Sequence, residues 1–288
     1  MGRGRLVTVC VAVKVHDCIV FAADSASTLS TTSAEGGTKV LNVYNNADKL
    51  FNLHRNLPIV AMTCGMGHIG GRSISNLAKD LRFQLSKGEH PINDQDYTIE
   101  DVVQRAHSFI STCYVSCNPE PNKGDYLEFW IGGYGSANTH GEIWKIVIAD
   151  GAPQEPFLLN AEADAEGVFW GGQGQAIARL LLGADPEFVD ALVAEGVPLD
   201  VSNAMYTAVR HRLATPVFHA TMPTIDAIRL AQFLVDTTKG FFSFAFGSDI
   251  VGGATDVATV TKWEGFKWIK RKHFYPAELN RKDHDHVC

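Results

Sequence analysis

Apolar and polar positions alternate from the eighth residue onward. Val9, Val11, Val13 and Val15 interleave with Thr8, Cys10, Ala12 and Lys14, a β-branched run suited to a central strand covered on both sides. His16-Asp17 makes a short turn, so Ile19 to Ser25 pairs antiparallel with that strand. The polar stretch from Ser25 to Asn46 reads as a long loop or ragged hairpin, of the kind that shapes binding sites on a rigid scaffold. Asp48 to Leu53 and Pro58 to Cys64 form a second hairpin around residues 54–57, and Gly65 to Gly71 turns its second strand into a helix.

That helix runs from about Arg72 to Leu85, because Ile74, Leu77, Ala78, Leu81 and Leu85 share one face. A second, from about Ile99 to Cys117, carries Val102, Val103, Ala106, Phe109 and Ile110 at the same period. Strands return at Tyr126–Tyr134, Gly141–Ala149, Phe157–Leu159 and Gly167–Trp170. Gln175 to about Thr237 is helical in pieces, and Ala254–Val260 and Lys267–Lys270 close the series as strands. Helices and strands thus come in separate blocks, which predicts an α+β architecture rather than a doubly wound parallel sheet. Two antiparallel sheets face to face, with helices on both outer surfaces, would use every element.

Composition narrows the function. With 288 residues, 45% of them hydrophobic, the chain can build one large domain, and the net charge of −7 argues against nucleic acid or an anionic membrane as partner. The basic run Lys262 to Lys272 is interleaved with Trp263, Phe266 and Trp268 and reads as a strand with one polar face. Six cysteines without paired CxxC spacing argue against a zinc ribbon or a disulfide scaffold and fit a reduced, cytoplasmic setting. Residues 1–13 have the outline of a signal peptide, but Lys14, His16 and Asp17 interrupt it early and the pattern continues as a strand pair. No run approaches membrane-spanning length.

Candidate chemistry gathers where these strands begin and end. Thr8 opens the first strand, Asp24 closes the second and Lys49 enters beside them, so all three would meet at one corner of a sheet. The run from Thr8 through Ala22-Ala23-Asp24-Ser25, then Ala47-Asp48-Lys49-Leu50, then Cys64-Gly65 before a helix, resembles the β subunits of the proteasome and their bacterial relatives, the HslV and Anbu peptidases. The Thr-x-Cys-Val-Ala opening looks closest to the Anbu type, and sixteen residues separate Thr8 from Asp24, as the family keeps between its threonine and its acid. The resemblance implies an N-terminal-nucleophile hydrolase with a four-layer αββα fold that cuts peptides or unfolded chains within a ring or helical homo-oligomer. It further implies a leader at residues 1–7 that is removed, a catalytic domain over 8–272 and a polar tail over 273–288. Carried over residue by residue, Thr8 matches the nucleophile, Asp24 the carboxylate, Lys49 the lysine and Gly65 the oxyanion-hole glycine. Gln173 and Asp249 stand at or beside positions where the family has supporting polar residues, and Val251 replaces a serine.

Elementary chemistry supports the same site. A threonine hydroxyl needs a base, and a free α-amine titrating near pH 7.7–8 can serve, directly or through a water. A lysine beside both favours their deprotonated forms, and Asp24 compensates that lysine. The Gly65 N–H, at a strand end beside a helix start, can donate to a tetrahedral oxyanion. No cofactor or metal is called for. Cys10 reads as a small buried hydrophobe, His68 as a capping or surface group, and the His284-Asp285-His286 end as a solvated tail. Gly172 to Gly174 lacks the Gly-Lys-Ser/Thr ending of a P-loop. Two other functions fit the pattern: an amidohydrolase acting on a small amide through Thr8, and a non-catalytic assembly subunit.

Overall fold

The computed structural model describes residues 8–32, 38–120, 122–159, 165–245 and 251–272. The leader at 1–7, the tail at 273–288 and Asp249 lie outside the described residues. Strands β1 (Val9–Lys14) and β2 (Ile19–Ala23) come first, then β3 (Ser27–Thr32), β4 (Thr38–Tyr44), β5 (Leu50–Asn52) and β6 (Ile59–Gly65). The short β7 (His68–Ile69) and β8 (Arg72–Ser73) lead into α1 (Ile74–Lys87) and α2 (Ile99–Cys117). Next come β9 (Tyr126–Gly133), β10 (Glu142–Ala149), β11 (Ala152–Leu158) and β12 (Gly167–Gly172). Helices α3 (Gln175–Leu182), α4 (Glu187–Ala194), α5 (Leu199–Leu213) and α6 (Thr224–Phe244) precede β13 (Asp256–Thr261) and β14 (Gly265–Lys270).

The strands build two five-stranded antiparallel sheets, in the orders β12-β1-β2-β13-β14 and β11-β10-β9-β6-β5. The mixed α and β class expected from the element order is thus observed. Three apolar clusters organise the interior. One joins Leu53, Ile59, Ala61, Phe129 and Ile131 to the buried faces of α1 and α2. A second joins Val9, Val11, Val13, Val20 and Ala22 to Ile177 of α3 and Ala231, Leu234 and Val235 of α6. The third takes the opposite parity of the same strands: Cys10, Ala12, Phe21 and Ala23 from one sheet meet Val60, Met62, Cys64 and Trp130 from the other. Along β1, branched residues therefore face helices and small residues face the opposing sheet, the two-residue period that fixes register.

Ser25 to Asn46, expected as a long loop or ragged hairpin, includes the hairpin β3 with β4. Other element bounds differ from the sequence expectation for identifiable reasons. Arg72 and Ser73 pair with His68 and Ile69 instead of opening the helix, and the Ser73 side chain then caps α1 by accepting from the Asn76 amide at 3.1 Å. The helical block extends past Thr237 to Phe244, since Thr238 and Phe242 continue the buried face of α6. Among the described residues, no helix is long and apolar enough to cross a membrane.

Candidate active site

Strand ends put the three predicted residues in direct contact. Thr8 precedes β1, whose first residue Val9 sits opposite Gly172 of β12. The Gln173 amide donates to the Thr8 carbonyl at 2.7 Å. Gly172 has φ +77°, and a Cβ built there would lie 1.9 Å from the Thr8 carbonyl oxygen, so this position requires glycine on two counts. Thr8 is buried, as are Asp24 and Lys49.

Asp24 continues the β2 ladder, its amide donating to the Val9 carbonyl at 3.2 Å. Its carboxylate then folds back over the strand ends. Oδ1 accepts from the Val9 amide at 3.1 Å and from Lys49 Nζ at 2.6 Å. Oδ2 accepts from the amides of Ala26 at 3.1 Å and Gly252 at 3.0 Å. A buried carboxylate with four donors is satisfied on both oxygens. Lys49, just ahead of β5, also donates from Nζ to Thr8 Oγ1 at 2.8 Å. Its carbonyl is fixed by the Thr63 amide at 2.9 Å. One ammonium thus bridges the threonine hydroxyl and the aspartate, an arrangement that stabilises negative charge developing on Oγ1.

The remaining predicted residues arrive differently. Gly65 ends β6 with φ +96°, where a Cβ would come within 2.3 Å of the Tyr126 carbonyl oxygen. It reaches this corner through its neighbour Cys64, whose Sγ lies 3.1 Å from the Cβ position of Gly172. Gln173 is buried and meets Thr8 through its backbone. The segment holding Val251 and Gly252 comes to the site through the Gly252 amide, while Val251 packs into the helix-facing core. Cys10 is fully buried and donates from Sγ to the Thr63 carbonyl at 3.1 Å. Burial, together with the neighbouring Cys64, pushes its thiol well above the ordinary range, which disfavours a thiolate nucleophile. His68 is exposed, with Nδ1 3.1 Å from the Gly70 carbonyl, and touches none of these groups.

Two features went unread in the sequence. Glu128 is buried on the inner face of β9, accepting from Trp130 Nε1 at 2.8 Å and from Tyr126 Oη, with Lys145 Nζ 3.1 Å away. A Cβ on Gly171 would meet Glu128 Oε2 at 2.5 Å, so this polar group lies under β12, the strand that pairs with β1. The available signal was a lone glutamate at inward parity in an otherwise apolar strand, with Lys145 on the next. The other feature is Lys272, the last residue of the basic run read as a strand with one polar face, which lies past the strand's end with its side chain among carboxylates. No group of three or more His, Cys, Asp or Glu side chains suited to a metal occurs among the described residues.

No known family profile matches the chain, and no curated protein matches it. Solved structures do. The architecture defines a proteasome-like fold. Among the matching structures is Anbu (ancestral beta-subunit) from Yersinia bercovieri, with a TM-score of 0.50 over 93% of this chain and 89% of that one, at 11% sequence identity. The likeness at that identity is one of fold.

Proposed function

We propose that this protein is an N-terminal threonine hydrolase of the proteasome type, built as a four-layer αββα sandwich and cutting peptide bonds as a homo-oligomer once residues 1–7 are removed. The observation that carries the reading is Lys49 Nζ, which donates at once to Thr8 Oγ1 at 2.8 Å and to Asp24 Oδ1 at 2.6 Å. The liberated Thr8 amine takes the hydroxyl proton, directly or through a water, as Oγ1 attacks the substrate carbonyl carbon. Lys49 stabilises the incipient alkoxide, and the Gly65 N–H receives the tetrahedral oxyanion. Collapse expels the leaving amine, which takes its proton from the Thr8 ammonium. Water then hydrolyses the threonine ester. Gln173 and Asp249 are our candidates for the roles of the family's supporting polar residues. Self-association uses the exposed apolar residues Phe83 of α1 and Ile225, Phe233, Phe241 and Phe244 of α6.

Intact-mass measurement of the purified protein tests this reading. Loss of residues 1–7 in the wild type and their retention in Thr8→Ala is the expected pair, with hydrolysis of a fluorogenic peptide only by the processed form. An intact start at Met1 or Gly2 in active protein would overturn it. Turnover of small amides but not peptides would move the assignment to the amidohydrolase.

A further inference from the structure

A second lysine stands behind the first. Lys272 lies two residues past β14 with its side chain 7% exposed. Its Nζ donates to Ser25 Oγ at 2.9 Å, pairs with Asp256 Oδ2 and lies 3.7 Å from Asp48 Oδ1. Its backbone amide binds the same aspartate, through Oδ1 at 3.0 Å. Ser25 comes directly after Asp24 in the chain and Asp48 directly before Lys49, so one ammonium reaches the immediate neighbour of each member of the Lys49–Asp24 pair.

The hydrogen-bond roles are consistent throughout. Ser25 gives its single hydroxyl proton to the Ala254 carbonyl at 2.6 Å, leaving a lone pair for Lys272. The Ser25 amide donates to the Gly252 carbonyl at 2.9 Å, and its carbonyl accepts from the Ala47 amide at 2.9 Å. Asp48 Oδ2 accepts from Ser75 Oγ of α1 at 3.4 Å. Segments 24–26, 47–49, 252–256 and residue 272 therefore meet around one buried charge. Asp256 sits opposite Ala23 in the sheet, next to Asp24. Without Lys272, the carboxylates of Asp256 and Asp48 would lack their cation, and the segments that carry Asp24 and Lys49 would lose the ammonium they share.

We infer that Lys272 is a positioning residue for the Thr8–Lys49–Asp24 contact, fixing the chain segments on which Lys49 and Asp24 sit. The inference rests on the hydrolase reading above. Its consequence is kinetic: removing the Lys272 charge frees the segments that carry Lys49 and Asp24 to shift, and the attack step slows while substrate binding is kept.

The test compares wild type, Lys272→Arg, the double variant Lys272→Met/Asp256→Asn, which leaves neither charge of that pair orphaned, and Ser25→Ala. Melting temperature, kcat and KM on a fluorogenic peptide, and the rate of Thr8 acylation by a peptide β-lactone, followed by intact mass, are measured for each. The double variant is expected to lower kcat and the acylation rate together by about tenfold or more, with KM within about twofold of wild type. Lys272→Arg should recover part of that loss, and Ser25→Ala, which keeps both charges paired, should slow acylation by about threefold or more while staying folded, with a melting temperature lowered by the orphaned Ala254 carbonyl. Wild-type acylation rates in the double variant, or in Ser25→Ala should the double variant not fold, would overturn the positioning role alone. Failure of the lactone to modify Thr8 in processed wild type would instead defeat the hydrolase reading, and this inference with it.

Discussion

Asp24 holds the amide of Val9 at 3.1 Å with the same oxygen that holds Lys49 at 2.6 Å. The residue after the threonine and the cation beside its hydroxyl are thereby tied to one atom. Breaking a buried pair from one side leaves an uncompensated charge, so Asp24→Asn and Lys49→Met should each lower stability by about 3–5 kcal/mol. The double variant should recover much of that, as urea midpoints will measure. On the proposed mechanism all three should lose peptide turnover by about a hundredfold or more, because Lys49 is either absent or no longer held against Oγ1 by Asp24. Activity in the stable double variant would place the chemistry elsewhere.

Gly172 and Gly196 separate conformation from crowding. Both have positive φ, but a Cβ at 172 would strike the Thr8 carbonyl at 1.9 Å while one at 196 meets nothing within 4 Å. Gly196→Ala should cost about 1 kcal/mol, the penalty of the left-handed backbone alone. Gly172→Ala should cost about 3 kcal/mol or more and, on the proposed mechanism, depress turnover even where the protein remains folded, because the displaced atom is the carbonyl oxygen of Thr8. Equal effects at the two sites, measured by denaturant melts and peptide assay, would contradict the close packing at residue 172.

Cysteine chemistry should be silent. Among the described cysteines Cys117 is exposed, whereas Cys10, Cys18 and Cys64 are buried, and burial raises the thiols of Cys10 and Cys18. Iodoacetamide at neutral pH should therefore modify Cys117 and spare those three in the native protein, as peptide mapping will show. Cys10→Ala should retain peptide turnover within about threefold of wild type. A dead but folded Cys10→Ala would reopen the question of the nucleophile.

Acid stability should report on the staple between α6 and β13. Burial alone would raise the Asp236 carboxyl, but bonds from Thr255 Oγ1 at 2.6 Å and Gln232 Nε2 at 3.3 Å, with Lys239 beside it, bring it below the ordinary value. A carboxylate lowered in the folded state contributes stability above its unfolded value, near pH 4, and loses it as pH falls through the folded value. The stability difference between wild type and Asp236→Asn should therefore be fully present at pH 6 and shrink toward pH 3. A difference that stays constant over that range, in urea midpoints, would exclude the linkage.

The residues that could be read from the sequence lie at the ends of strongly patterned strands. Thr8, Asp24 and Lys49 are placed by β-branched alternation and by tight hairpins, both local signals, and the structure brings them within hydrogen-bonding distance. Lys272 could not be read in this way. It closes a basic run that reads as a polar strand face, and its contact with Ser25 spans 247 residues of sequence. Lys262, in the same run, donates to the carbonyls of Gly135 and Ser136 at 2.5 and 2.7 Å. Both lysines flank β14, and which of its flanking cations meet buried acceptors is decided by how the last hairpin packs on distant segments, which no local propensity encodes. The extent of the hairpin after Asp24 was hidden for a related reason: its β-branched residues are diluted by serine, glycine and asparagine.

The turn at Gly172 lets the next residue moor the start of the first strand. Among the described contacts, the backbone bonds that locate residue 8 lie on its C-terminal side: the Gln173 amide on its carbonyl and the Val9 amide clasped by Asp24. Severing the chain ahead of Thr8 would leave that mooring whole. On the proposed mechanism a newly freed terminus therefore keeps both of these bonds, its hydroxyl still directed at Lys49.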